Sequence, residues 1–240
     1  MPIWTQRASF SWRQNIGFFE HRYAILRQLE DQGLLRRFQE RPSSVAVRIQ
    51  GPHQLIIFGD DGLFIGTFKP DAVMDVMRAA VEVICEALEP EPTGYPIFKF
   101  QWLNACEGSY DEARQTAAKA FLGDDHPAQV ADFALLLDAK LETPFDDCHL
   151  EFGIVDATEA PRRLSRGMHG LQNERDSPPG LWPPGELPQV AIFCDVRLDA
   201  ASPLGASDIV ANMFATIEAA RDVADQLMAS MLRPLDGPMQ

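Results

Sequence analysis

The sequence predicts an α+β fold made of two similar units, each running strand, helix, three strands and helix. Three observations predict it. Alternating apolar and polar residues, typical of strands with one buried face, recur in both halves of the 240-residue chain. Apolar residues at helical spacing separate and follow these strands, and turn residues mark the boundaries. Strands joined by short turns form antiparallel sheets, so we predict antiparallel sheets with helices packed on one face.

The first unit, residues 1–92, contains four predicted strands and two predicted helices. A Gly-Pro turn and an Asp-Gly turn separate three of the strands, since Asp-Gly suits a tight hairpin. The second helix opens at Pro70, a residue that the first turn of a helix tolerates, and ends before Pro90. The predicted elements in order are a strand at 3–12, a helix at 16–38 that Gly33 is expected to break or bend, strands at 44–50, 53–59 and 63–68, and a helix at 70–89.

The second unit, residues 93–240, repeats this order. Its first helix begins at a capping box, in which Ser109 and Glu112 bond each other's backbone N–H groups. Residues 133–142 alternate with period two and predict a strand, while a helix beginning at Pro127 is the alternative. The other predicted elements are strands at 96–104, 149–156 and 190–199, and helices at 109–122 and 207–232. The two sheets would lie side by side or edge to edge, and their seam would form a groove for a ligand.

A long insertion, residues 157–188, interrupts the second unit. Six prolines and four glycines predict that it lacks regular structure. Loops of this length in compact domains are commonly functional or disordered. It carries a set of basic residues that predict a site for a partner or an anion, through charge-assisted hydrogen bonds. These are Arg162, Arg163, Arg166, His169 and Arg175.

The net charge of −14 is unevenly distributed along the chain. Residues 1–50 carry +4, residues 51–160 carry −15 and residues 161–175 carry +3. The acidic bulk argues against nucleic-acid binding, which needs a basic surface, and no apolar run is long enough to cross a membrane. The basic segments are expected either to dock on the acidic region, within one chain or between copies, or to be solvated faces. Four cysteines without a Cys-x-x-Cys pair predict a cytoplasmic protein with reduced thiols.

Two short segments carry a resemblance to a known family. Trp102-Leu103-Asn104, within residues 98–104, resembles the aromatic, aliphatic and Asn strand of a sporadically distributed family of uncharacterised bacterial proteins, with Gln101 where that family usually has Arg. Residues 192–196, with Asp195 and the long helix after them, resemble that family's closing strand. The resemblance implies a bacterial protein. In fold alone, the duplicated units are similar to the GyrI-like and SOUL ligand-binding domains.

Two groups of polar residues are candidate sites. Asn104, Asp195 and Arg197 interrupt otherwise apolar strands and would bind a small polar ligand if they line the seam, or be exposed sheet positions if they do not. A second group combines carboxylate, thiol and imidazole, which are all metal ligands, and is otherwise a polar hairpin turn. Its members are Asp147, Cys148, His149 and Glu151. We predict no catalytic residues and no cofactor.

Three functional hypotheses follow. The first is a non-catalytic adaptor or accessory protein of a bacterial cytosol, which contacts protein partners or itself through its basic insertion and its acidic face. The second is a sensor that binds a small molecule at the seam between the units. The third is a metal-assisted hydrolase that uses residues 146–151.

Overall fold

The structure, a computed structural model, describes residues 3–49, 54–123, 133–141, 144–165 and 186–233. Within these residues, nine strands form one sheet in which all neighbours are antiparallel. The strands are β1 (Ile3–Ser11), β2 (Leu35–Glu40), β3 (Ser44–Ile49), β4 (Gln54–Gly59), β5 (Gly62–Phe68), β6 (Ile97–Ala105), β7 (Ala134–Lys140), β8 (Phe145–Asp156) and β9 (Val190–Ala200). Their order across the sheet is β2-β3-β4-β5-β1-β6-β9-β8-β7.

Five α-helices lie in the described part of the chain. They are α1 (Gly17–Asp31), α2 (Met74–Leu88), α3 (Tyr110–Leu122), α4 (Ala160–Ser165) and α5 (Ile209–Leu232). A 3-10 turn, Pro70–Ala72, precedes α2, so the predicted helix at Pro70 begins a few residues late. The predicted capping box at the start of α3 is present. The α+β class and the antiparallel pairing are therefore confirmed.

The main hydrophobic core lies on one side of the sheet. It joins one set of alternate strand residues, such as Phe100 and Trp102 of β6, to apolar side chains of α1, α2, α3 and α5. A smaller cluster joins the other set, such as Leu103 of β6, to Leu164 of α4. Successive side chains of a strand point to opposite faces. We call the side of the main core the helix face and the other side the α4 face.

The strand β2 corrects the prediction that α1 continues to residue 38. The helix ends at Asp31, and Gly33 follows with a φ of 68°, a conformation that glycine adopts at little cost. The chain then pairs with β3, with a register shift between Leu35 and Arg37. Four strands, rather than three, therefore follow the first helix.

The central pair of the sheet is β1 with β6. Ala8 lies opposite Phe98 and Arg7 opposite Lys99 in antiparallel register. This pair joins residues 3–88 to the rest of the chain edge to edge in one sheet. It brings Arg7 next to a strand that follows it by about ninety residues in sequence, which a strand-by-strand analysis does not predict.

The strand β7 settles the assignment of residues 134–140. They pair in register with β8, from Ala134 opposite Gly153 to Lys140 opposite Asp147. The period-two prediction is confirmed here, and the helical alternative is wrong for these residues. The segment that would have begun that helix, residues 127–132, lies outside the described residues.

The helix α4 corrects the prediction that the whole insertion lacks regular structure. Pro161 occupies its first turn, where a missing N–H costs nothing. The carboxylate of Asp156 accepts bonds from the backbone N–H groups of Thr158 and Glu159, at 2.8 and 2.9 Å, and so organises the turn that leads into α4. Residues 166–185 of the insertion lie outside the described residues.

Candidate functional site

Five polar side chains of three adjacent strands, β1, β6 and β9, meet on the α4 face, and we call them the central polar network. Gln101 stands in the middle: its Oε1 accepts bonds from Thr5 Oγ1 at 2.7 Å and Arg7 Nη2 at 2.9 Å. Its Nε2 donates to Asp195 Oδ2 at 2.7 Å, and Lys99 Nζ lies 2.7 Å from the same oxygen. Gln101 is 1% exposed, Arg7 7% and Asp195 5%.

The central polar network has a physical cost that marks it as a candidate site. Charged groups removed from water destabilise the folded chain unless hydrogen bonds replace their hydration. Here Gln101 uses both ends of its amide, one toward the Arg7 guanidinium and one toward the Asp195 carboxylate. A sheet face that only had to be covered would be filled by apolar residues, as β9 does with Phe193.

The network holds the end of α4. Arg7 Nη2 donates to the carbonyl of Leu164 at 2.8 Å, and Gln101 Nε2 donates to the carbonyl of Arg163 at 3.3 Å. A buried cation and an amide from the sheet therefore bond two carbonyls of α4. These bonds dock the helix over the β1–β6 pair by polar as well as apolar contacts.

The side chain of Arg163, a residue of α4, gives the helix a second contact with the sheet. Its guanidinium pairs with Glu151 of β8 and with Glu159 at 2.8 Å, and its Cζ lies 5.7 Å from the centre of the Phe193 ring. Asp156, whose side chain organises the turn before α4, has its pKa lowered by hydrogen bonds, first from the Thr158 hydroxyl and then from the two backbone N–H groups. This carboxylate therefore stays ionised and keeps the turn at neutral pH.

The two ends of the insertion lie side by side. The N–H of Ala157 donates to the carbonyl of Gln189 at 3.0 Å. Glu186 forms an ion pair with Lys69, and Leu187 packs on the hydrophobic cluster of the α4 face. The insertion is thus attached to the sheet at its start and at its end.

The structure separates the three predicted ligand residues. Asp195 and Arg197 lie on the α4 face of β9, but Arg197 is engaged by Asp199, with Nε and Nη2 at 2.9 and 3.0 Å from the two carboxylate oxygens. Asn104 shares the strand parity of Trp102 and therefore lies toward the helix face. Only Asp195 belongs to the central polar network.

The predicted metal ligands do not converge either. Asp147, His149 and Glu151 share the α4 face of β8, as their alternation predicts, but each is paired with a different neighbour. Asp147 Oδ1 lies 2.6 Å from Lys140 Nζ, and His149 Nδ1 lies 2.5 Å from Asp138 Oδ1. Glu151 forms an ion pair with Arg163. Cys148 is buried in the main core. In the described part of the chain, no three such side chains are grouped as a metal would require.

The predicted basic residues of the insertion divide into two kinds. Arg163 is bound into the fold, whereas Arg162 is exposed and makes no ion pair with a described residue. Arg166, His169 and Arg175 lie outside the described residues. Of the two described arginines of this set, Arg162 is the exposed one, and its charge contributes to lowering the pKa of Asp156.

The four thiols are held in the protonated form. Burial raises the pKa of Cys85 and Cys194 to about 12 and that of Cys148 to about 11, and it also raises the pKa of Cys106. The thiolate is the nucleophilic form of cysteine. Burial therefore disfavours the thiolate form of these side chains.

A cavity of about 250 Å³ lies between α2 and α5 on the helix face. Gln6 of β1 lines it, is buried, and donates from Nε2 to Met74 Sδ at 3.4 Å, although a thioether is a weak acceptor. Arg221 Nη1 lies 2.6 Å from Asp71 Oδ1, and the guanidinium group of Arg78 lies over the ring of Phe214. The complete lining is Gln6, Asp71, Met74, Asp75, Arg78, Phe214, Ile217, Glu218 and Arg221.

Sequence reasoning missed Arg7, Lys99 and the central role of Gln101. The available signal was the placement of Thr5, Arg7 and Gln101 at alternate positions of predicted strands. That pattern is the same for a strand with one solvated face, so only the cover provided by α4 distinguishes the two cases.

No protein-family model matches this chain. None of the curated proteins compared with it is significantly similar. None of the described helices combines the length and the apolar content that a bilayer crossing requires.

Proposed function

We propose that the protein is a non-catalytic binding protein, an adaptor that contacts an acidic protein surface through its insertion, residues 157–188. One observation carries this proposal: the start of the insertion is fastened to the middle of the sheet by the buried side chains of Arg7 and Gln101. A binding segment that is held in place before it meets its partner loses less conformational entropy on binding. Removing the Arg7 guanidinium from water costs free energy. A loop without a function would not need that cost to hold it in place.

The charge of the insertion indicates the class of partner. Residues 161–175 carry +3 in a chain of net charge −14. Arg162 is exposed at the base of this segment, while Arg163 is occupied by Glu151 and Glu159. Guanidinium groups form paired hydrogen bonds with carboxylates, so an acidic peptide or protein surface is the partner that fits.

We also propose that the two halves arose by internal duplication, with units 1–92 and 93–240. Two features support it: β1 and β6 are adjacent in the centre of the sheet, and each is followed outward by a late strand of its own half, β5 and β9. Duplicated units would place the insertion near the axis that relates them. The resemblance of residues 98–104 and 192–196 to bacterial proteins and the four free thiols favour a bacterial cytosol.

Binding of an acidic peptide tests the adaptor proposal. The probe is a fluorescently labelled Asp/Glu-rich peptide, and the measurement is fluorescence anisotropy at low and moderate salt. We expect the variant Arg162→Glu, combined with a Gly-Ser linker in place of 166–185, to weaken binding about tenfold or more, because several charge-assisted bonds are lost.

The matched control for this experiment is Arg13→Glu. Arg13 is an exposed arginine on another part of the surface, and its Nη1 lies 2.9 Å from Glu91 Oε2. The substitution changes the net charge by the same amount as Arg162→Glu. Equal weakening by Arg162→Glu alone and Arg13→Glu would mean that the peptide senses net charge only. That result, or an unchanged affinity in the linker variant, contradicts the proposal.

A second candidate function is recognition of a small molecule in the cavity between α2 and α5, and Gln6 favours it. This buried amide has a thioether as its side-chain partner among the described residues, and acidic and basic side chains surround it. Carboxylates and guanidinium groups at one cavity suit a ligand that carries both charges, such as a free amino acid.

Thermal denaturation with single amino acids as probes tests this second function. A ligand present at about 100 times its Kd adds about 2.7 kcal/mol to the free energy of unfolding, which raises Tm by several degrees. We expect Arg78→Gln to abolish the rise and Arg13→Gln to leave it intact. If no amino acid raises Tm in the unaltered protein, this function is excluded.

A further inference from the structure

The strand β7 lies at one edge of the sheet, and its exposed positions combine apolar and charged side chains. Among the described residues β8 is its neighbour, and the register between them is regular over seven residues. The side chain of Leu136 is 74% exposed and that of Leu137 39%. The opposite edge, β2, has a register shift and two adjacent arginines, both of which discourage pairing with another strand. The two edges of this sheet therefore differ in their readiness to accept a further strand.

The hydrogen bonds to β8 identify which residues of β7 face outward. Leu141 donates from its N–H to the carbonyl of Asp146 at 3.1 Å, and the carbonyl of Phe133 accepts from Ile154 at 3.4 Å. In an antiparallel pair, alternate residues direct both backbone groups toward the same neighbour. The odd-numbered residues therefore bond β8, and Leu136, Asp138 and Lys140 direct their N–H and C=O groups away from β8, to the side on which no described strand lies.

We propose that β7 pairs antiparallel with β7 of a second copy of the chain, with Ala139 opposite its own counterpart. This register sets Asp138 opposite Lys140 of the second copy, twice, as hydrogen-bonded pairs on the α4 face. It also sets Leu137 opposite Leu141 of the second copy, twice, on the helix face. Opposite charges and apolar side chains that face each other across strands stabilise a sheet.

The neighbouring registers of the β7 pair bring less favourable cross-strand pairs together. Centring the pair on Asp138 or on Lys140 sets like charges directly opposite each other, which destabilises the pair. Centring it on Leu137 sets Asp138 opposite Leu136 and Lys140 opposite Ala134, so neither charge meets an opposite charge of the second copy beyond its own partner within the chain, His149 or Asp147. The strand thus carries, within its own sequence, the charges that complement a second copy, and this identifies the occupant of the edge. The interface does not involve the insertion, so it stands or falls separately from the adaptor role.

Cysteine cross-linking tests the register. In the proposed pair, the two Ala139 residues form a pair without backbone hydrogen bonds, with Cα atoms about 4.5 Å apart, a distance at which a disulfide can form. In a Cys106→Ser background, which removes the partly exposed native thiol, we expect Ala139→Cys to yield disulfide-linked dimers under mild oxidation. The matched variant Leu137→Cys should stay monomeric on a non-reducing gel, because its counterparts lie four residues out of register. Cross-linking through Leu137→Cys, or through neither variant, overturns the proposal.

Charge exchange tests the same interface without a covalent bond. Sedimentation equilibrium of the unaltered protein should show a dimer, and Asp138→Lys should raise its dissociation constant about tenfold, since two attractive pairs become repulsive. Adding Lys140→Asp to that variant restores opposite charges and should restore the dimer. Circular dichroism of each variant checks that the fold persists. A protein that is monomeric throughout the concentration series, or a double variant that is no tighter than Asp138→Lys, contradicts the pairing.

Discussion

Replacing Trp102 with alanine is expected to lower the free energy of unfolding by about 4 kcal/mol, since removal of a large buried aromatic side chain costs both its burial and the cavity it leaves. The indole is fully buried on β6, one of the two central strands of the sheet. Its ring centre lies 6.2 Å from that of Phe100 within the main core. Urea denaturation followed by circular dichroism measures the effect.

The comparison that gives this result meaning is Tyr95→Ala. Tyr95 is 59% exposed, and its removal should cost less than about 0.5 kcal/mol. Trp102→Phe should fall between the two, because it keeps an aromatic ring in the same place. A loss below about 1 kcal/mol for Trp102→Ala would show that the helix face is not packed at the centre of the sheet as described.

Replacing Arg7 with alanine is expected to cost about 3 kcal/mol, within the range measured when one partner of a buried charged network is removed. The substitution deletes the bonds to Gln101 and to the carbonyl of Leu164 and leaves a gap beneath α4. Unlike the destabilisation by Trp102→Ala, part of the destabilisation by Arg7→Ala should be confined to α4. Amide hydrogen exchange in α4 should accelerate relative to exchange in α3, because α4 loses the bond from Arg7 to its Leu164 carbonyl.

Two further variants separate the role of Arg7 in holding α4 from a general loss of packing. Arg7→Lys keeps the charge but not the planar group, and should recover only part of the protection of α4. Arg13→Ala removes an exposed arginine and should cost less than about 1 kcal/mol. If exchange in α4 and α3 rises equally in Arg7→Ala, the network does not fasten the insertion, and the adaptor proposal loses its main support.

Much of the fold could be predicted because local patterns dominate it. The alternation in residues 133–142 was strong enough to indicate a strand, and β7 follows it. The capping box at Ser109 marked a helix start from four residues alone. The failure at β2 has a physical reason: Leu34 and Leu35 continue the apolar spacing of α1, and the positive φ at Gly33 is what ends the helix.

The candidate site was harder to predict because it depends on contacts between distant segments. Thr5 and Gln101 lie on strands that meet only when the two halves join. The residues of α4 bonded to Gln101 and Arg7 lie 62 and 157 residues farther along the chain, respectively. The sequence places Arg162 and Arg163 in one basic set. In the structure, Glu151 and Glu159 bind Arg163 and not Arg162. Sequence supplies the residue types, whereas the partners come from strand order and from the short helix within a proline-rich segment.

The closeness of Ala157 and Gln189 has an evolutionary consequence. Because the two points where the segment leaves and rejoins the sheet are 3.0 Å apart from nitrogen to oxygen, its length can change without moving β8 or β9. Related genes could therefore exchange this segment, as antibodies exchange loops on a constant framework, and acquire new specificity while the scaffold is inherited unaltered. For the same reason, the site is a natural place to graft a foreign reporter domain.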